Sequence, residues 1–137
     1  MNYIIALSSG NIINTVLARS ALRHHLKTDR PPLLTRAQIP ALSVLIVNAF
    51  SSLAASIGAK ADVSNQDVLT MTFDGRNLNN NAIADSCERA VTAAILSEAY
   101  ADTDRELSNY YASLYESALN AIQSLLTSAA TITPSIF

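Results

Sequence analysis

Residues 103–128, TDRELSNYYASLYESALNAIQSLLTS, decide the fold class. Leu107, Tyr111, Leu114, Ala118, Ala121 and Leu125 recur at alternating steps of four and three. That spacing sets all six on one side of a helix. Thr103-Asp104-Arg105-Glu106 fits a capping box at its start. Asp104 and Glu106 also sit where a helix N-terminus favours negative charge. A helix with one apolar stripe must bury it against another element.

The stretch before it supplies that element. Residues 81–100 read as a helix with Ile83, Cys87, Ala90, Val91, Ala94 and Ile95 inward. The short break Ala101-Asp102-Thr103 favours antiparallel packing of the two helices. Further upstream, Ser8-Ser9-Gly10-Asn11 opens a helix, and Ile12, Ile13, Val16, Leu17, Ala21 and Leu22 give it an apolar side. Asp29-Arg30-Pro31-Pro32 ends it, because proline lacks an amide donor and restricts the residue before it. Thr35-Arg36-Ala37-Gln38 is another capping box, so a second helix begins near Thr35 or Pro40 and runs to Ile57, with Gly58 as its stop.

Residues 62–80 differ in kind. Val68-Leu69-Thr70-Met71-Thr72-Phe73 alternates by side and is rich in strand formers. Asp74-Gly75 is a turn signal. We expect a short strand or hairpin arm here, packed on the helices or paired with another subunit through Leu69, Met71, Phe73 and Arg76. The end of the chain, Thr131-Ile132-Thr133-Pro134-Ser135-Ile136-Phe137, reads as an extended tail with Ile136 and Phe137 as anchors. The expected architecture is mainly α. It is a single four-helix bundle-like domain, residues 1–130, with a β arm and a C-terminal tail, residues 131–137.

Composition narrows the function. Of 137 residues, 50% are apolar, enough for a core, and only 15% are charged, below the ~25% of a common soluble domain. Residues 1–36 hold five basic side chains against Asp29 alone, while the remainder holds four basic against ten acidic. Opposed poles suit head-to-tail contact between identical subunits; solvated surface charge is the alternative. With three glycines, a phosphate-cradling loop is excluded. The single cysteine, Cys87, allows no disulfide within the chain and no cysteine metal cluster. It reads as a buried structural thiol. The N-terminus lacks the basic start of a signal peptide. Residues 37–59 are free of charge and long enough to cross a bilayer. A stripe of Leu42, Leu45, Ile46, Phe50, Leu53 and Ile57, interleaved with serines and Asn48, favours a buried helix, so no membrane partner is expected.

Candidates for chemistry are sparse. His24 and His25 are adjacent, so on a helix they point about 100° apart and do not share a metal ion readily. Glu98, Asp102, Asp104 and Glu106 cluster at the last break, where helix capping accounts for them. Arg19, Arg23, Lys27 and Arg30 form a basic ridge able to meet phosphates or an acidic neighbour. The helix after that ridge is the most apolar in the chain and a poor recognition helix. We therefore expect no enzyme, metal or cofactor.

The run Ala82-Ile83-Ala84-Asp85-Ser86-Cys87-Glu88-Arg89-Ala90-Val91, the acidic break at residues 101–104, and Tyr110-Tyr111-Ala112-Ser113-Leu114-Tyr115-Glu116-Ser117-Ala118-Leu119 resemble head–tail connector (adaptor) proteins of tailed bacteriophages. The resemblance spans residues 82–126 and is one of composition and spacing. It implies a homo-oligomeric ring, a dodecamer in the usual form, between the portal protein and the tail, nozzle or neck proteins of a virion assembled in the host cytoplasm. Such a ring prolongs the DNA channel, where Arg19, Arg23, Lys27 and Arg30 would give non-specific DNA contact. The tail residues Thr133, Pro134, Ile136 and Phe137 would reach the portal. The rival reading is a small helical binding or scaffold module, monomeric or dimeric. A small metal protein or enzyme is a more distant one.

Overall fold

The computed structural model describes residues 2–26 and 34–131, with side chains described for 2–22 and 34–127. The order is β1 (Asn2–Ser8), α1 (Ser9–Leu26), a 3-10 turn (Arg36–Gln38), α2 (Ile39–Ser56), β2 (Lys60–Asp62), β3 (Val68–Asp74), α3 (Asn80–Ala99) and α4 (Arg105–Thr131). The chain is thus mainly helical, with one small antiparallel sheet in the order β1-β3-β2.

Of the two placements expected for the β arm, the structure shows packing on the chain's own helices, with the arm built into a three-stranded sheet. β3 is the central strand. It pairs along its whole length with β1, from Asn2 opposite Asp74 to Ser8 opposite Val68. On its other side it pairs with the three residues of β2. The hairpin turn therefore lies between β2 and β3, and Asp74-Gly75 leads into α3 instead. In this register Tyr3, Ile5, Leu7, Leu69, Met71, Phe73 and Ala61 share the inner face, which rests on α2 and α3. Leu69, Met71 and Phe73 are buried there, and Phe73 stacks on Tyr3 at 5.9 Å. Burial against the chain's own helices supplies the hydrophobic stabilisation that two lone strands lack.

Local signals fix the helix ends. Ser8 Oγ accepts the amide of Asn11 at the start of α1, and Asn79 Oδ1 accepts that of Ala82 at the start of α3. Gln38 Oε1 accepts the amide of Thr35, closing the expected capping box around a 3-10 turn. α2 follows with Pro40 in its first turn, where a missing donor costs nothing. Gly58 at φ +74° ends α2, with the Ala59 amide reaching Ala54 O and that of Gly58 reaching Ala55 O. This is the paired cap that a left-handed residue permits. At α4 the cap is Asp104, whose Oδ1 accepts the Leu107 amide. It lies one residue beyond the expected Thr103.

α3 is the hub. It contacts α1, α2, α4 and β1, and its buried side chains are Ile83, Ser86, Cys87, Ala90, Val91, Thr92, Ala93, Ile95 and Leu96. α4 lays its apolar side along α3, with Tyr111 and Ile122 buried and Leu107, Leu114, Ala118 and Leu125 half-buried. Ala121, on the edge of the expected stripe, is exposed. Two hydroxyls lock the pair reciprocally: Ser97 Oγ donates to Ser108 O at 2.9 Å, and Ser108 Oγ to Ser97 O at 2.7 Å. Tyr111 stacks on Tyr100 at 6.4 Å.

Candidate functional site

Three surfaces are candidates. The first is the outer side of α2. Its inner side contributes Leu42, Ile46, Phe50, Leu53 and Ala54 to the core. Opposite them Ala37, Ala41, Val44, Asn48, Ser51, Ser52 and Ala55 are exposed, Val44 by 60%. The residues are small or apolar and carry no charge, so an approaching surface meets no ion to desolvate. The most apolar window of the helical stretch Arg36–Ser56 has mean hydropathy 1.7, so the stretch passes for a membrane span by length and composition, yet only 28% of that window is buried in the fold.

The second surface is the outer face of the sheet, with Ile4 and Ala6 on β1 beside Thr72 and Thr70 on β3. Ile4 is 62% exposed, and Lys60 and Asp62 flank the face from β2. The hydroxyl and amide of Ser64 hold the Asp62 carboxyl below its ordinary pKa.

The third is a groove of about 280 Å³ where α1 and α4 stand on either side of α3. Thr15 and Arg19 come from α1. Glu88, Arg89, Thr92, Ala93 and Leu96 come from α3. Tyr111, Leu114, Ser117 and Ala118 come from α4. Arg89 is paired with Asp85 one turn back. Arg19 is thus brought to the groove beside Glu88. Of the rest of the expected basic ridge, Arg23 lies in α1 with its side chain outside the described set. Lys27 and Arg30 lie outside the described residues altogether. His24 and His25 lie in α1, likewise without described side chains.

The other expected contact residues separate by burial. Leu69, Met71 and Phe73 face the core of their own chain, whereas Arg76 is exposed in the connection to α3. Thr133, Pro134, Ile136 and Phe137 lie outside the described residues. Among the described residues no group of three His, Cys, Asp or Glu side chains is placed to hold a metal ion. Cys87 is buried on the inner side of α3, and burial pushes its thiol up to about 12. A thiol at that value is neutral near pH 7 and a poor nucleophile.

The groove escaped the sequence reading because its α1 wall is distant in the chain from the consecutive α3–α4 pair it meets. The outer side of α2 was not foreseen: the charge-free run reads as a buried helix, whereas only 28% of its most apolar window is buried. No family model, no curated protein and no solved structure matches this chain.

Proposed function

We propose that the chain is a structural assembly subunit, of the head–tail connector kind that the helix-break-helix resemblance implies. It joins copies of itself in a ring between portal and tail and has no catalytic role. The observation that carries this reading is the outer side of α2. A charge-free helix face with small side chains over most of its length lets another backbone approach closely, and exposed apolar area of this sort marks an association surface. Asn48, Ser51 and Ser52 on that side favour a protein neighbour over lipid, since a neighbour can satisfy their hydrogen bonds and hydrocarbon cannot.

On this reading the four helices work as a bundle with α2 turned to the adjoining subunit. Residues 132–137, which follow α4, would anchor in the portal. Arg19, with Arg23, Lys27 and Arg30, meets channel DNA or an acidic neighbour. The scaffold-module rival shares the same surface and differs in stoichiometry. Native mass measurement of the purified chain, alone and with a portal protein, tests the reading. A ring, alone or on the portal, supports it. It should be lost in Val44→Glu while the circular dichroism of the subunit is unchanged. A monomer at every concentration, indifferent to the portal, refutes it.

A further inference from the structure

The groove between α1, α3 and α4 is lined by two hydroxyls, on largely buried residues, that bond to no other described protein group. Thr92 is only 5% exposed and Tyr111 only 8%. Both line the groove. Neither hydroxyl has a hydrogen-bond partner among the described residues. Buried hydroxyls ordinarily find one. The one sealed side-chain polar atom without a partner among the described residues is Asn80 Oδ1, so these two hydroxyls keep an opening to solvent. For Thr92, packed on every other side as part of the α3 core, that opening is the groove.

Charge is arranged to match. Arg19 on the α1 wall and Glu88 on α3 have no ion-pair partner among the described residues, while Arg89 is occupied by Asp85. The groove thus offers one free cation and one free anion. Along its floor Glu88, Thr92 and Leu96 follow at steps of four over about 12 Å, passing from charged to hydroxyl to apolar. Ala93, Leu114, Ala118 and the Tyr111 ring complete the apolar end.

We propose that this groove binds a small zwitterion with an apolar body, of the class of apolar α-amino acids. The carboxylate pairs with Arg19 and the ammonium with Glu88. The Thr92 hydroxyl bonds to the charged end, and the side chain lies over Leu96, Leu114 and Tyr111. A lone anion would meet Glu88, and a lone cation Arg19, each a like charge in a half-enclosed site. A volume of about 280 Å³ lies just below the usual range for drug-sized ligands and suits a molecule of this size. The proposal does not require a ring, and it assigns Arg19 to the ligand in place of channel DNA or an acidic neighbour.

The test is an amide-resolved NMR titration of the full chain with L-phenylalanine and L-leucine. The controls are 3-phenylpropanoate, which lacks the ammonium, and phenethylamine, which lacks the carboxylate. The amino acids should shift the amides of Thr92, Ala93, Leu96 and Leu114 saturably. Both controls should bind about tenfold or more weakly, as should the variants Arg19→Ala, at an exposed residue, and Glu88→Gln, at a half-buried one, toward the amino acids, one charge-assisted hydrogen bond each. Thr92→Val should weaken binding a few-fold with the same fold, read from its spectrum. No saturable shift by about 20 mM ligand, a range that reaches the weakest ligand affinities, overturns the proposal. So does equal binding of 3-phenylpropanoate, or wild-type affinity in Glu88→Gln.

Discussion

Truncating two residues of α4 separates what the subunit buries by itself from what it leaves for a neighbour. Ile122 is fully buried against α3, whereas Leu114 is half-buried at the groove. Ile122→Ala removes three carbons from a sealed site. At ~0.8 kcal/mol per buried methylene the transfer loss is about 2.4 kcal/mol, and the cavity left between α3 and α4 raises it to about 3–4 kcal/mol. Leu114→Ala removes the same number of carbons from a side chain that is mostly covered but open to the groove. Its loss should be about 1.5–2 kcal/mol, with little cavity cost because solvent fills the space. Urea unfolding followed by circular dichroism, at a subunit concentration too low for association, measures both. With m near ~2 kcal/mol/M, Ile122→Ala should lower the midpoint by about 1.5–2 M and Leu114→Ala by about 0.75–1 M, at unchanged m. A Leu114 loss equal to that of Ile122 would show that the α3–α4 seam is closed in the free subunit. That would refute the open groove.

Three further outcomes are expected. Gly75→Ala would bring a Cβ to 2.0 Å from Leu78 Cδ1, so it should destabilise measurably, and Leu78→Ala should relieve much of that loss in a double-mutant cycle; additive losses would contradict the contact. Gly58→Ala meets no neighbour but sits at φ +74°, so thermal unfolding should report a purely conformational cost of about 1 kcal/mol. The Cys87 thiol is raised from 9.0 to about 12, so between those values the unfolded chain loses its proton and the folded chain keeps it. Stability should therefore fall as pH rises above 9, with a slope approaching ~1.4 kcal/mol per unit that Cys87→Ala abolishes; parallel pH profiles for the two proteins would refute it.

The helices were legible because each carries its own punctuation. Ser8, Thr35 with Gln38, and Gly58 act at the helix ends that they mark in the sequence, and the stripe on α4 has the period of the helix that bears it. Asp104 caps α4 one residue past the expected Thr103, and the Asn79 cap of α3 reads as loop. The sheet was half legible. Val68–Asp74 alternates cleanly, but its partner β1 hides the pattern: Ile4 on the outer face is as apolar as Ile5 on the inner one. Asn2–Ser8 therefore reads as a short apolar run. Lys60–Asp62 is three residues long, too short to show a period. What decides the sheet is the register between β1 and β3, separated by two helices. No local window contains that information.

That long-range pairing also changes what the chain can offer to others. A projecting arm would have carried Leu69, Met71 and Phe73 outward as its contact surface. With β1 on one side and β2 on the other, those side chains are spent on the subunit's own core. The exposed apolar area lies instead on the outer side of α2, whose exposed residues are smaller and uncharged, and at Ile4 and Ala6 on the outer sheet face. Such surfaces gain little from any one side chain. A bulky anchor such as Phe50 or Met71 would act as a hot spot if exposed, but Val44, Ala41 and Ser51 contribute through extended close contact. An interface of this kind is weak for a single pair of subunits and gains from repetition, because each copy in a closed ring makes two such contacts at once. Adding a charge at Val44 or Ala41 should therefore weaken a ring far more steeply than a dimer. Native mass measurement against concentration can show this. A graded loss no steeper than that of a dimer would argue for the scaffold-module reading instead.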